Sequence, residues 1–142
     1  MLIIRPEQLA AYDDVAEAAF ERSVAAYVRE QHAEESVMLA SGTCSLKELD
    51  EETLLGLVRL GIARARSYGM TWESSIAAFV VLMFVVAPNF DEHPLIRRVL
   101  RDDTFDPDSG FDEIWERTSA ENWELARAYY EPESWNAAGE EE

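Results

Sequence analysis

The sequence predicts an all-α fold: a single-domain helical bundle, residues 1–142, of five to six helices around a central apolar helix at residues 72–87. Several segments repeat apolar residues at spacings of three and four, the period of an amphipathic helix. No segment shows the alternation that is typical of a half-buried strand. With 142 residues, 48% of them hydrophobic, the chain is long enough to bury a core without disulfides.

The first predicted helix covers residues 6–32. Pro6 suits the first helical position, where its missing N–H is harmless. The face expected to pack inward is formed by Leu9, Tyr12, Ala16, Phe20, Ser23 and Tyr27. The next segment, "EESVMLASGTC", mixes Ser, Gly and Thr without a clear period, so we expect a short loop there.

The second predicted helix covers residues 50–68. Ser45 with Glu48 matches a capping box, and Asp50 is a second candidate N-cap, so two start points remain open. Gly69 follows the last turn, where a left-handed conformation costs least. Gly61 and Ala65 are small residues one turn apart, and we expect them to let a neighbouring helix approach closely.

The central helix contains the most apolar stretch of the chain, "SSIAAFVVLMFVVAPNF", residues 74–90. Its uninterrupted apolar run, residues 76–87, is shorter than the about 20 residues that span a bilayer, which favours a core helix over a membrane anchor. Thr71 is the expected cap. A helix that is apolar all round has to be surrounded by its neighbours, so we expect Phe79, Leu82, Met83 and Val86 to be buried.

The last third is predicted to hold shorter helices. Pro94 suits the first turn of one, "DTFDPDSG" is typical of a turn-rich linker, and Ser119 is a candidate cap between two further helical pieces. Residues 131–142 are expected to form a frayed acidic tail, with docking of Trp135 back onto the fold as the alternative. The start "MLIIRPEQ" lacks the pattern of a signal peptide, so a cytoplasmic location is expected, with no membrane association.

Negative charge is concentrated in residues 102–142, where 14 acidic residues and two arginines give −12 of the total −17. Such a run is most often a solvated face, and the sharper interpretation is a surface that attracts a basic partner. Nucleic-acid binding needs clustered Lys and Arg, so no nucleic-acid partner is expected.

Aromatic residues within this acidic region are the candidate partner-binding residues. Tryptophan inside a charged rim is typical of an interface hot spot. The candidates are Trp115, Trp123, Trp135, Asp112, Glu113, Glu116, Glu121 and Glu124. Trp115 and Trp123 share helix faces with apolar residues and could instead close the core, so Trp135 is expected to be the freest of the three.

Catalytic chemistry has few candidates in this sequence. His32 and His93 are the only imidazoles, and Cys44 is the only thiol, so an intrachain disulfide and a Cys-rich metal site are excluded. Asp91, Glu92 and His93 adjoin, but a loop with a helix cap explains them better than a metal site. We predict no catalytic, metal-binding or cofactor-binding residues, although an uncharacterised enzyme stays a third alternative.

Three segments carry a family resemblance: "IIRPEQLAAY" with "AFERSVAAYVRE", "LVRLGIARARSYGMTWESSIAAFVVLMFVVAPNFDEHPLIRRVLRD", and the acidic Trp-containing helices near the end. Together they resemble small all-α accessory proteins encoded in bacterial type VI secretion gene clusters. The resemblance carries no catalytic residues.

A protein-binding role is what this resemblance implies. The version that we favour is an adaptor or chaperone that covers a secreted effector or a spike protein before export. An immunity protein that neutralises a cognate toxin, for which a basic nuclease would suit the acidic tail, comes next. An isolated regulatory subunit is a further version.

Overall fold

A computed structural model describes residues 6–39 and 41–135, with side chains from Val15 onward. Six α-helices and one hairpin follow one another in this part of the chain. They are α1 (Pro6–Gln31), β1 (Ser36–Leu39), β2 (Gly42–Ser45), α2 (Glu51–Ser67), α3 (Glu73–Val85), α4 (Pro94–Leu100), α5 (Ile114–Arg117) and α6 (Ala120–Ala128). Short 3₁₀ turns lie at Phe90–Glu92, Phe111–Glu113 and Pro132–Trp135. The mostly helical fold is thereby confirmed.

The hairpin corrects the prediction of a loop after the first helix and of a purely helical chain. β1 and β2 pair antiparallel, with Val37 opposite Cys44 and Met38 opposite Thr43. Val37 is buried while Met38 is exposed, which is the alternation of a strand. Each strand has only four residues, too few for alternation to stand out in the sequence.

Helices α2 and α3 form the closest helix pair of the fold, as the small residues of α2 predicted. A Cβ added at Gly61 would lie 2.9 Å from a Val80 methyl group and 3.1 Å from the Met83 sulfur, and Ala65 is fully buried. Of the two candidate caps, Asp50 begins α2 by accepting a hydrogen bond from the Thr53 N–H.

The start of α3 is capped by the linker before α5, not by Thr71 as expected. The helix begins at Glu73, and Trp72 in the cap position makes no side-chain bond to it. The Asp108 carboxylate accepts hydrogen bonds from the Thr71 and Trp72 N–H groups, both at 2.9 Å, and from the Thr71 hydroxyl at 2.7 Å. Partial burial raises the pKa of Asp108, but these hydrogen bonds outweigh it and hold the pKa below its usual value.

The core centres on α3. Phe79 and Met83 are fully buried and Val86 is 9% exposed, as predicted, and the Phe79 ring lies 4.9 Å from Phe90. Leu82 is only partly buried, so the prediction of its burial is wrong. Its side chain lines a groove described below.

The end of the described chain is packed, which corrects the expectation of a frayed tail for residues 131–135. Trp135 is 4% exposed and its ring lies 4.9 Å from Phe84. Its indole N–H donates to the Tyr130 hydroxyl, which in turn donates to the Met38 carbonyl and accepts from the Met38 N–H. Residues 136–142 of the predicted tail lie outside the described residues.

Candidate functional site: an apolar groove beside α3

An open groove runs along the side of α3 that α2 leaves uncovered. One section, of about 510 Å³, lies between α1 and α3, and the next, of about 430 Å³, lies between α3 and the turn that leads into α5. The two sections share Tyr27, Ser74 and Ala77, so they form one continuous surface, called here the α1/α3 groove.

The floor of the groove belongs to α3. Ala77, Ala78, Val81 and Leu82 line it and are only partly buried. We expected neighbouring elements to surround this helix on every side, and that expectation is wrong on this side. The apolar surface is open because α2 covers only the face that carries Phe79, Val80 and Met83.

One wall of the groove is the face of α1 that was expected to pack inward. Ala16, Phe20, Ser23 and Tyr27 line it, and Tyr27 is 53% exposed. Among the described side chains of α1, from Val15 onward, the buried ones are instead Val24, Ala25 and Val28. Leu9 and Tyr12 of the predicted face lie outside the described side chains.

Ion pairs to α2 accompany this orientation of α1. Both oxygens of the Glu17 carboxylate accept hydrogen bonds from Arg66, at 2.8 and 2.9 Å, and Glu21 accepts one from Arg59 at 2.9 Å. The hydrogen bonds from Arg66 lower the pKa of Glu17. These acids direct one side of α1 toward α2 and leave the Phe20–Tyr27 side along the groove.

The opposite wall comes from the acidic third of the chain. Phe111, Asp112 and Trp115 line it, and Trp115 is half exposed. The Trp115 ring packs 4.7 Å from Trp123, whose own ring stacks 5.7 Å from Phe90. The Trp123 indole N–H donates to the Thr118 hydroxyl at 2.8 Å, which holds this aromatic pair in place.

The charged residues among the described groove lining are both acidic. Glu73 stands at the N-terminal end of α3 in the first section, and Asp112 stands beside Trp115 in the second. Two carboxylates beside an apolar floor, in a chain whose net charge is −17, favour a negative potential at this surface.

The structure divides the partner-binding residues that the sequence predicted. Asp112 and Trp115 line the groove, and Trp123 is half-buried behind Trp115. Trp135 is buried, so the prediction that it is the freest tryptophan is wrong. The remaining acids are exposed: Glu113, which pairs with Arg117 at 3.0 Å, and Glu116, Glu121 and Glu124.

The histidines and the cysteine have local structural contacts. His93 Nδ1 accepts from the Leu95 N–H at the start of α4, His32 packs edge-on against Tyr27, and the Cys44 thiol donates to the Ser45 carbonyl. Among the described side chains, residues 15–39 and 41–135, no three His, Cys, Asp or Glu residues are grouped as metal ligands.

A buried polar cluster lies where α2 ends, and the sequence did not predict it. The Tyr68 hydroxyl donates to Asp91 Oδ2 at 2.7 Å, and Arg64 lies 3.5 Å from Oδ1 of the same carboxylate and donates to the Pro88 carbonyl. Burial, together with the Asp91 charge, raises the pKa of Tyr68 to about 12. The cluster joins α2 to the corner after α3.

The groove residues that sequence reasoning missed are Tyr27 as a wall and Ala77, Ala78, Val81 and Leu82 as a floor. Their signal was the apolar residues of α1 and α3 themselves. These residues were interpreted as core because an apolar stripe has the same period whether this chain or another protein covers it.

No protein-family model, curated protein or solved structure matches this chain.

Among the helices that the structure describes, none combines the length and hydrophobicity needed to cross a bilayer.

Proposed function

We propose that this chain is a non-enzymatic protein-binding accessory, adaptor-like or chaperone-like, that holds a secreted effector or a spike component of a type VI secretion system in the cytoplasm. The observation that carries the protein-binding role is the α1/α3 groove. Its apolar floor and its half-exposed Tyr27 and Trp115 have the composition of an interface centre. The secretion setting is supported by the family resemblance.

An immunity protein is the second candidate, and the charge of the chain favours it. A net charge of −17 with two carboxylates at the groove would accelerate encounter with a basic toxin and would disfavour acidic partners. Both candidates share one surface and differ in what happens when the chain is absent.

The experiment pairs binding with genetics. The chain is co-expressed with each effector, spike and toxin encoded beside it, and complexes are measured by light scattering and calorimetry. An adaptor gives a stoichiometric complex, and deletion of its gene stops export of the bound protein. An immunity protein also gives a complex, but its deletion kills the cell unless the toxin gene is removed too.

A further variant tests whether the histidines and the cysteine are needed for catalysis. Replacement of His32, His93 and Cys44 together by Ala is expected to leave partner binding and export within a few-fold of the wild type. Loss of biological function in a variant that still folds and still binds would contradict the non-enzymatic proposal, and failure to bind any of the co-expressed proteins would contradict the binding role.

A further inference from the structure

We infer that the α1/α3 groove receives a basic amphipathic helix of the partner, laid along α3 between α1 and the turn that carries Trp115. This inference deepens the proposed function and rests on it for the existence of a partner. The expected occupant is helical, about two to three turns long and positively charged.

The groove favours a helical occupant because its described lining offers no strand edge for an extended segment to pair with. Each described lining residue belongs to an α-helix or a 3₁₀ turn, so the groove presents side chains rather than a strand edge with free N–H and C=O groups. An extended segment seated there would leave its own backbone groups unpaired against an apolar floor, which is costly. A helix satisfies those groups internally and needs only an apolar face.

The dimensions fit a short helix. The floor extends from Ser74 to Leu82, which is about 12 Å along α3, and the α1 wall from Ala16 to Tyr27 is about 16 Å long. Two to three turns of an occupant cover that length. Ala77 and Ala78 keep the floor low enough for a second helix to approach, while Tyr27 and Trp115 rise on either side.

Charge selects among the possible occupants. A second copy of this chain would bring another −17 and its own acidic groove, so like charges would face each other. The last residues of the chain, "GEEE", carry the same sign and are disfavoured for the same reason. A segment with Lys or Arg flanking its apolar face would instead meet Glu73 and Asp112.

The test uses a synthetic probe, a fluorescein-labelled peptide of 18 residues with Leu and Ala on one helical face and Lys on the other. Two matched peptides accompany it, one with Glu in place of every Lys and one with the basic sequence scrambled to abolish the apolar face. We expect the basic helix to bind at least about tenfold more tightly than either, with an affinity that falls as salt rises.

Variants of the chain locate the binding. Tyr27→Ala removes part of a wall, and Ala77→Lys places both bulk and positive charge on the floor; each is expected to weaken binding of the basic peptide at least about tenfold. The matched control is Tyr129→Ala, because Tyr129 is 69% exposed and lies outside the groove. Tyr27→Ala keeps the test decisive if Ala77→Lys fails to fold.

The contribution of charge is measured separately. Glu73→Gln with Asp112→Asn is expected to weaken binding and reduce its salt dependence, whereas Glu51→Gln with Glu52→Gln, at the exposed start of α2, is expected to change the affinity less. Equal effects of the two pairs would show that net charge alone attracts the peptide and would overturn the assignment to the groove.

Other outcomes also decide. Equal binding of the scrambled peptide, or unchanged binding by Tyr27→Ala and Ala77→Lys, would overturn the inference. So would a concentration-dependent dimer of the wild type that Ala77→Lys dissociates, since the occupant would then be a second copy.

A native partner that binds both groove variants as well as the wild type refutes the groove as the binding site but leaves the protein-binding function standing. Peptide binding in the groove without any native partner refutes that function instead.

Discussion

Both sides of α3 are apolar, but they differ in what covers them. On the α2 side, Phe79, Val80 and Met83 are fully buried, and α2 comes close because Gly61 has no side chain. On the groove side, Ala77 and Leu82 are only partly buried. The apolar character of a helix face therefore does not by itself show that the face is covered, and on the α2 side the missing side chain of Gly61 is what allows the close approach.

The largest expected difference between the two sides comes from truncating one residue on each. Phe79→Ala removes a fully buried ring and is expected to lower the free energy of unfolding by about 3 to 5 kcal/mol, whereas Leu82→Ala is expected to cost about 1 kcal/mol. Urea denaturation of the isolated protein measures both. Equal costs would show that the groove side is as tightly packed as the α2 side.

A second comparison uses two glycines of α2. Gly61→Ala adds a methyl group within 2.9 Å of Val80 and is expected to destabilise the fold by about 1 to 3 kcal/mol. Gly56→Ala is its matched control, since nothing lies within 4 Å of an added Cβ, and it is expected to stabilise by up to about 1 kcal/mol through helix propensity. Thermal melts of both variants measure the difference. A neutral Gly61→Ala would mean that the α2 and α3 backbones have room to spare.

Alkaline pH is expected to destabilise the α2 side of α3 through Tyr68, whose ring lies 5.8 Å from Phe79. Burial and the Asp91 charge raise the pKa of Tyr68 to about 12, above its value in an unfolded chain. The resulting stabilisation is complete below pH of about 10 and is lost as pH rises through the folded pKa, with a loss of at most about 2 kcal/mol.

The measurement is the free energy of unfolding from pH 8 upward, for the wild type and for Tyr68→Phe. The variant is expected to show a shallower decline above pH of about 10 because it cannot ionise at this position. Tyr129→Phe, at an exposed position, serves as the control and is expected to follow the wild type. Identical slopes for Tyr68→Phe and the wild type would contradict the assignment.

The smallest expected effect concerns the end of α3 that both sides share. Asp108→Asn keeps the shape of the side chain but removes the charge that meets the Thr71 and Trp72 N–H groups just before the helix, and a loss of a few degrees in Tm is expected. Because hydrogen bonds hold the pKa of Asp108 low, its contribution is present above the unfolded pKa of about 4 and is lost as pH falls.

The control for this charge is Asp103→Asn, an exposed acid of the same linker, which is expected to leave Tm unchanged. Both variants are melted at pH 7 and pH 3. The difference between Asp108→Asn and the wild type is expected to shrink at pH 3, which lies below the unfolded pKa of about 4. A constant difference at the two pH values would show that charge plays no part in the cap.

Local signals predicted the helices well. Pro94, Ser119 and Gly69 all lie where capping and turn rules place them, because each acts on the backbone beside it. The hairpin was missed since a four-residue strand leaves too little pattern. The cap from Asp108 was missed because the linker residue that meets α3 is 36 positions away from Trp72.

The candidate site was predicted less well than the helices. Asp112 and Trp115 were singled out by composition and do line the groove, whereas Trp135 was expected to be exposed and is buried. Which aromatic residue is buried depends on long-range packing, and the residues next to it in the sequence do not indicate it. In the described part of α1 the predicted inward stripe is only partly right, since Phe20 packs partly against the core and Tyr27 is 53% exposed, while Val24 and Val28 are the buried residues.

The hydroxyl of Tyr130 has a consequence for synthesis of the chain. It satisfies both backbone groups of Met38 across 92 positions of sequence. A ribosome therefore releases β1 long before the residue that seals its edge has been made. During that interval the hairpin presents unpaired N–H and C=O groups to other nascent chains, which is the geometry that seeds edge-to-edge aggregation.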